Sequence, residues 1–164
     1  MAAPKPTPSL GLTLRRDGSY IRVGGYLDEV ADCGPLLLVK PPLRLNLRDL
    51  KAVNSHGLRT WIRFIRDYGT QALELHECPP PFIDACNMVP DVVSATGNMK
   101  RVKSALTPFQ CRNCRRRLLV IVETAELVVG RDGSVVPPEA GCPRCGEAMA
   151  LEVDADDHFL FWTC

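Results

Sequence analysis

The chain has 164 residues, enough for one mid-sized domain or two small ones, and 46% of them are hydrophobic, as in folded rather than disordered polypeptides. Twenty Lys and Arg face 19 Asp and Glu, a formal charge of +1, so no global charge argues for a nucleic acid or a membrane as partner. No apolar run is long enough to span a bilayer, and the opening Met1-Ala2-Ala3-Pro4-Lys5-Pro6-Thr7-Pro8 lacks the apolar centre of a secretory signal.

In chain order, residues 1–9 are Pro-rich and read as a mobile tail. An extended segment at 10–15, the turn signal Asp17-Gly18 and Tyr20-Ile21-Arg22-Val23 predict a hairpin that Gly24-Gly25 ends. A short helix is expected over 27–33, before the break at Gly34-Pro35. The apolar run 36–39 reads as a buried strand. Leu43, Leu45 and Leu47 alternate with Arg44, Asn46 and Arg48, the period of a strand with one buried face. Leu58, Trp61, Ile62 and Ile65 then fall at i, i+3, i+4 and i+7, which predicts a helix with one apolar face. Asn54 or Ser55 can cap its start, and Gly69 ends it. A strand at 73–76, a helix at 80–88 with proline in its first turn and a strand at 102–106 complete a mixed α/β sheet flanked by helices. The remainder, 108–164, reads as a small all-β piece. Its strands are expected at 118–122, at 126–129 and at the aromatic run Phe159-Leu160-Phe161-Trp162, with Asp132-Gly133 as a turn. The boundary between the two parts is placed near Thr107.

Two Cys-x-x-Cys hooks, Cys111-Arg112-Asn113-Cys114 and Cys142-Pro143-Arg144-Cys145, are separated by 27 residues. Each brings two sulfurs to one side of a tight turn, and two hooks complete the tetrahedron that zinc prefers. The expected cofactor is one structural Zn2+, in a zinc ribbon with all four ligand positions filled by protein and none open to water. Four thiolates around a divalent ion shift the formal charge to about −1. A redox pair is the rival for a single Cys-x-x-Cys, and the second copy argues against it. Cys33, Cys78 and Cys86 read as small buried apolar residues, and Cys164 as an incidental thiol. Eight cysteines without an export signal point to a reducing cytoplasm.

Between strand and helix lies Asn54-Ser55-His56-Gly57, where helix N–H groups are unpaired and the dipole is positive. A phosphate on Ser55 would be stabilised there, although the commonest role for such a serine is simply to cap the helix. The segment 43–65, centred on Asp49-Leu50-Lys51-Ala52-Val53-Asn54-Ser55-His56-Gly57-Leu58, resembles the STAS domain of anti-sigma factor antagonists, stressosome subunits and sulfate-transporter tails. Gly25-Tyr26-Leu27-Asp28 matches that family's upstream Gly-x-Leu-Asp turn. The resemblance spans about 10–107 and implies a STAS-like signalling domain. It places Ser55 on the serine phosphorylated in antagonists and Gly57-Leu58 on the family's Gly-Leu. Asn54 stands where the family has an acid, His56 where it has a second hydroxyl residue, and Asn46 where it often has aspartate.

The expected function is a non-enzymatic, protein-binding signalling adaptor. Its contact surface would comprise Asn54, His56 and Gly57 with the basic stripe Arg59, Arg63 and Arg66. The resemblance implies an anti-sigma factor/serine kinase or a larger regulatory assembly as partner, and homo-oligomerisation is compatible with either. The rival is nucleic-acid binding through the ribbon and the seven bases Lys100, Arg101, Lys103, Arg112, Arg115, Arg116 and Arg117. Catalysis is not expected, because neither Ser55-His56 nor His76-Glu77-Cys78 places a third group to orient a nucleophile and base.

Overall fold

The computed structural model describes residues 11–93 and 101–163. The stretch 1–9, Lys100 and Cys164 lie outside the described residues. The protein is mixed α/β. A hairpin of β1 (Leu12–Asp17) and β2 (Tyr20–Leu27) opens the first sheet. β2 runs parallel to β3 (Leu43–Asn46) and to β4 (Leu50–Val53), and β3 runs parallel to β5 (Leu73–His76). Gly24-Gly25 does not end β2. The pairing with β4 shifts register there as a bulge, and Gly25 (φ 82°) lies so close to Gly11 that a Cβ would fall 2.4 Å from its carbonyl oxygen.

Leucines on one face of β3 and β5 are buried while Arg44, Asn46, Glu74 and His76 are half-buried, as a period of two requires. Against that face lies α2 (Ser55–Tyr68), which buries Trp61, Phe64, Ile65 and Tyr68, while Leu58 and Ile62 sit half-buried at its flank. Trp61 stacks against Phe64 and, edge-on at 5.3 Å, against Phe82 of α3 (Pro80–Met88), and its Nε1 donates to the Val92 carbonyl at 2.8 Å. Each such fully buried aromatic contributes about 1.5–3 kcal/mol of transfer free energy.

Two expected elements upstream of β3 are corrected. The helix expected over 27–33 is absent, since Leu27 ends β2 and 28–33 is a bend, a turn and irregular chain, and 36–39 is not a strand. Instead α1 (Gly34–Leu37) makes one turn with Pro35 at its start, burying Leu36. Four apolar residues carry no period, and proline preset for a first helical turn tips them into it.

β6 (Ser104–Cys111) runs beside β5, bridged at Leu75–Val102 and Cys78–Ala105 and bonded from the Lys103 N–H to the Leu75 carbonyl at 2.8 Å. It pairs antiparallel with β7 (Arg117–Glu123) and β11 (Ala148–Leu151), and β11 pairs with β10 (Ala140–Gly141). The boundary expected near Thr107 therefore falls inside one continuous strand, at a fully buried residue. Between β7 and β10 the chain makes a small hairpin, β8 (Val128–Val129) with β9 (Val135–Val136), closed by Asp132, whose Oδ1 accepts from the Ser134 N–H and hydroxyl.

The aromatic run at 159–162 is also corrected, from strand to helix. α4 (Ala155–His158) and α5 (Leu160–Thr163) replace it, and the last segment is not all-β. Asp154 caps α4 by accepting the Asp156 and Asp157 amides, and Asn87 of α3 ties both turns down. Its Nδ2 donates to the Asp157 and His158 carbonyls, and its Oδ1 accepts the Phe161 amide. Phe159 and Phe161 thereby join the same buried cluster as Trp61 and Leu75.

His158 is buried there, 3.3 Å from Thr107 Oγ1 and edge-on to Phe159, not at the cysteines. Burial holds its pKa below the ordinary value against the pull of Asp84. A neutral folded imidazole means that the unfolded chain binds a proton the folded chain refuses. This contribution is complete above about pH 6.5 and is lost as pH falls from there toward the folded value. His158→Gln is expected to melt with a smaller fall in Tm than the parent between neutral and mildly acidic buffer.

Candidate functional site

Two places gather chemistry. At the first, β6 ends on Cys111 and β7 begins at Arg117, so the first hook is the turn of a hairpin. The Cys111 N–H donates to the Arg116 carbonyl at 2.8 Å and the Arg115 N–H to the Cys111 carbonyl at 3.1 Å. The second hook repeats the pattern between β10 and β11. There the Cys142 N–H meets the Glu147 carbonyl at 2.8 Å and the Gly146 N–H meets the Cys142 carbonyl at 2.8 Å. Each hook needs a left-handed residue at its fourth step. Gly146 supplies one at φ 76°, and Arg115 adopts φ 60° in the equivalent place.

Pairing of Met149 with Cys111 brings the hooks together. The four Sγ atoms lie within 4.8 Å of one another, with Cys111–Cys145 at 3.5 Å and Cys114–Cys142 at 3.6 Å. These separations are far above the roughly 2.0 Å of a disulfide. They approach the edge of about 3.8 Å of a tetrahedron with metal–sulfur bonds near 2.3 Å. The amides of Arg144 and then Cys145 hold the Cys142 thiol down to about 6, and the amides of Cys114 and Asn113 lower Cys111. Cys114 moves the other way, to about 11. The Arg116 amide lowers it, but desolvation and three neighbouring sulfurs outweigh that pull. Four sulfurs this close cannot all ionise without a cation, and together they are positioned to bind one metal ion. Among the described residues no other three His, Cys, Asp or Glu side chains gather in this way.

Cys33, Cys78 and Cys86 are buried thiols apart from this centre. Burial pushes all three up, Cys33 to about 12 with help from Asp32.

At the second place, the Asn54 backbone N–H donates to the Leu27 carbonyl at 2.9 Å, pinning the start of α2 to the end of β2. Asn54 is the cap. Its Oδ1 accepts the His56 and Gly57 amides at 3.0 and 2.9 Å, and its Nδ2 donates to Glu29 Oε2 at 3.0 Å. Ser55 is therefore not the cap. It occupies the first helical position, exposed, and its hydroxyl makes no hydrogen bond among the described residues. His56 is exposed and Gly57 is buried against the backbone of Leu27 and Asp28. Arg59, Arg63 and Arg66 are all exposed on α2, and Arg66 reaches Asp91 at 2.8 Å.

Glu29 is the corner residue that the sequence did not single out. Its own backbone amide and then the Asn54 side chain keep its carboxyl below the usual range. Only its place after the Gly-x-Leu-Asp turn pointed there. Of the basic run 100–117, Arg101 is buried and donates to the Gly69, Gln71 and Val93 carbonyls, and Arg117 pairs with Glu152 at 2.7 Å. Arg112, Arg115 and Arg116 are exposed around the first hook.

Comparisons with protein families, with curated proteins and with solved structures give no match, and no family match supports the STAS resemblance. No helix among the described residues is long and apolar enough to cross a membrane.

Proposed function

We propose that this protein is a STAS-like, non-enzymatic signalling adaptor that binds a protein partner through the Ser55 corner, with one structural Zn2+ held by Cys111, Cys114, Cys142 and Cys145. The observation that carries the reading is the free hydroxyl of Ser55 at the first position of α2, with Asn54 supplying the cap in its place. A serine that is dispensable to the helix and open to solvent is available to a kinase. A phosphate there adds close to two negative charges beside Glu29 and at the head of the Arg59, Arg63 and Arg66 stripe. The hairpin, the parallel strands that follow and the packing of α2 at the strand-to-helix corner support the STAS-like reading. Four thiolates in a closed tetrahedron favour zinc and leave no site for a water nucleophile. The buried thiols of Cys33, Cys78 and Cys86 fit a reducing cytoplasm. The nucleic-acid alternative loses Arg101, which is buried against internal carbonyls.

Cross-linked affinity capture with wild type, Ser55→Ala and Ser55→Asp tests the switch. The alanine variant is expected to capture the partner of an anti-sigma factor/serine kinase type as wild type does. The aspartate variant should capture it at least about tenfold less, roughly the worth of one charge-disrupted contact. Zinc content should be the same in all three. Equal capture by the three proteins would overturn the proposal.

A further inference from the structure

β7 stands at the end of its sheet, and β6 is its one strand partner among the described residues. Its hydrogen-bonding direction follows from its two ends. The Thr124 N–H donates to the Lys103 carbonyl at 2.8 Å and the Arg116 carbonyl accepts from Cys111 at 2.8 Å, so even-numbered residues face β6. Pro108, opposite Leu119, has no N–H to offer, and its carbonyl accepts from Glu152 on the other side. By the alternation of an antiparallel ladder, Arg117, Leu119, Ile121 and Glu123 turn their backbone N–H and C=O groups to the open edge.

Sheet edges are ordinarily blunted by proline, bulges or charge along the strand. β1, an edge strand of the first sheet among the described residues, carries Arg15, Arg16 and Asp17 in its second half. β7 has none of these between its ends. Its sequence is Arg-Leu-Leu-Val-Ile-Val-Glu, and Leu119 and Ile121 are 53% and 41% exposed.

The sequence is also self-complementary in charge. Antiparallel pairing of two β7 strands about Val120 sets Arg117 against Glu123 of the second copy and Leu119 against its Ile121, each twice by symmetry. All four of these residues bear the outward-facing backbone groups, so they meet as hydrogen-bonded pairs. Their side chains lie on one face, an apolar centre closed at each end by an ion pair. Arg117 keeps Glu152 through Nε, and its remaining guanidinium N–H groups are free for the partner. We propose that a second copy of this chain is the occupant of the β7 edge, the two sheets joining into one across a twofold axis at Val120.

Sedimentation velocity over a roughly hundredfold concentration range tests this, because a dimer formed by mass action deepens with concentration. Wild type is expected to pass from monomer to dimer. Glu123→Arg and Arg117→Glu each place like charges at both symmetric ends, and each is expected to weaken self-association about tenfold. An equimolar mixture of the two variants restores opposite charges at both ends and is expected to dimerise as wild type does. That recovery also shows that neither variant has merely misfolded. A wild type that stays monomeric throughout, variants that dimerise unchanged, or a mixture that stays monomeric each overturn the proposal.

Discussion

Cys142→Ser is expected to leave the protein with less than stoichiometric zinc and to cost on the order of 5 kcal/mol or more of stability, the scale on which structural zinc sites contribute to folding. The expectation rests on how little else holds the second hook. β8, β9 and β10 are two residues each, and β11 pairs with β6 over only three positions. The sulfurs are placed to supply what those ladders lack, because each hook fixes two of them and a metal bound by all four would join the hooks across 27 intervening residues. Cys142 is 3% exposed, so a serine hydroxyl there is both a poor ligand and a buried polar group. The loss should be graded along the chain. β6 leaves the cysteines and runs beside β5, and Asn87 holds α4 and α5 on α3, so the helical signal of α2 should survive chelation. Elemental analysis per chain and thermal melts with and without chelator check this. Cys86→Ala, which removes a buried thiol outside the centre, is the control that should keep one zinc per chain. An unchanged Tm in zinc-free protein would sink the structural assignment.

The parts of this structure that were legible in the sequence share a geometric cause. The hooks could be read because two-residue spacing and a metal tetrahedron constrain each other. α2 could be read because its apolar residues repeat at helical intervals, although the buried stripe is rotated toward Phe64 and Tyr68. Where sequence and structure part, local composition lacks the partner surface that decides the element. The aromatic run at 159–162 looks like a strand by propensity, yet Asp154, Asp156 and Asp157 before it form an acid-rich helix start, and that signal outweighs it. Gly24-Gly25 reads as an end and is a bulge, since a glycine pair marks both equally well. Arg101 reads as part of a basic surface. Nothing in its neighbours along the chain shows that its guanidinium caps the Gly69 and Gln71 carbonyls beyond the end of α2. The Ser55 corner was legible as a place and not as a mechanism, because the choice of Asn54 over Ser55 as cap depends on the contact with β2.

That contact sets the second large effect. Glycine inside a helix ordinarily costs about 1 kcal/mol relative to alanine, so Gly57→Ala at a free helix surface would stabilise. Here the sign should reverse. A Cβ at position 57 would lie 2.0 Å from both the carbonyl carbon and oxygen of Leu27 and 2.4 Å from the Asp28 nitrogen. These are backbone atoms at the end of a buried strand, and the Leu27 oxygen is already engaged by the Asn54 N–H at 2.9 Å. Relief requires α2 to lift from β2 along its first turn, which breaks that bond and disturbs the cap that Asn54 places on His56 and Gly57. Overpacking costs about 1–3 kcal/mol, and the upper end of that range is expected where no flexible side chain can move aside. Urea denaturation of Gly57→Ala is expected to show a lower midpoint at unchanged slope, while zinc stays at one per chain because the metal centre lies on other strands. The same lift would displace Ser55, so partner capture should fall together with stability. A Gly57→Ala protein as stable as wild type would mean that the corner yields freely, and a yielding corner could not present Ser55 in one fixed position.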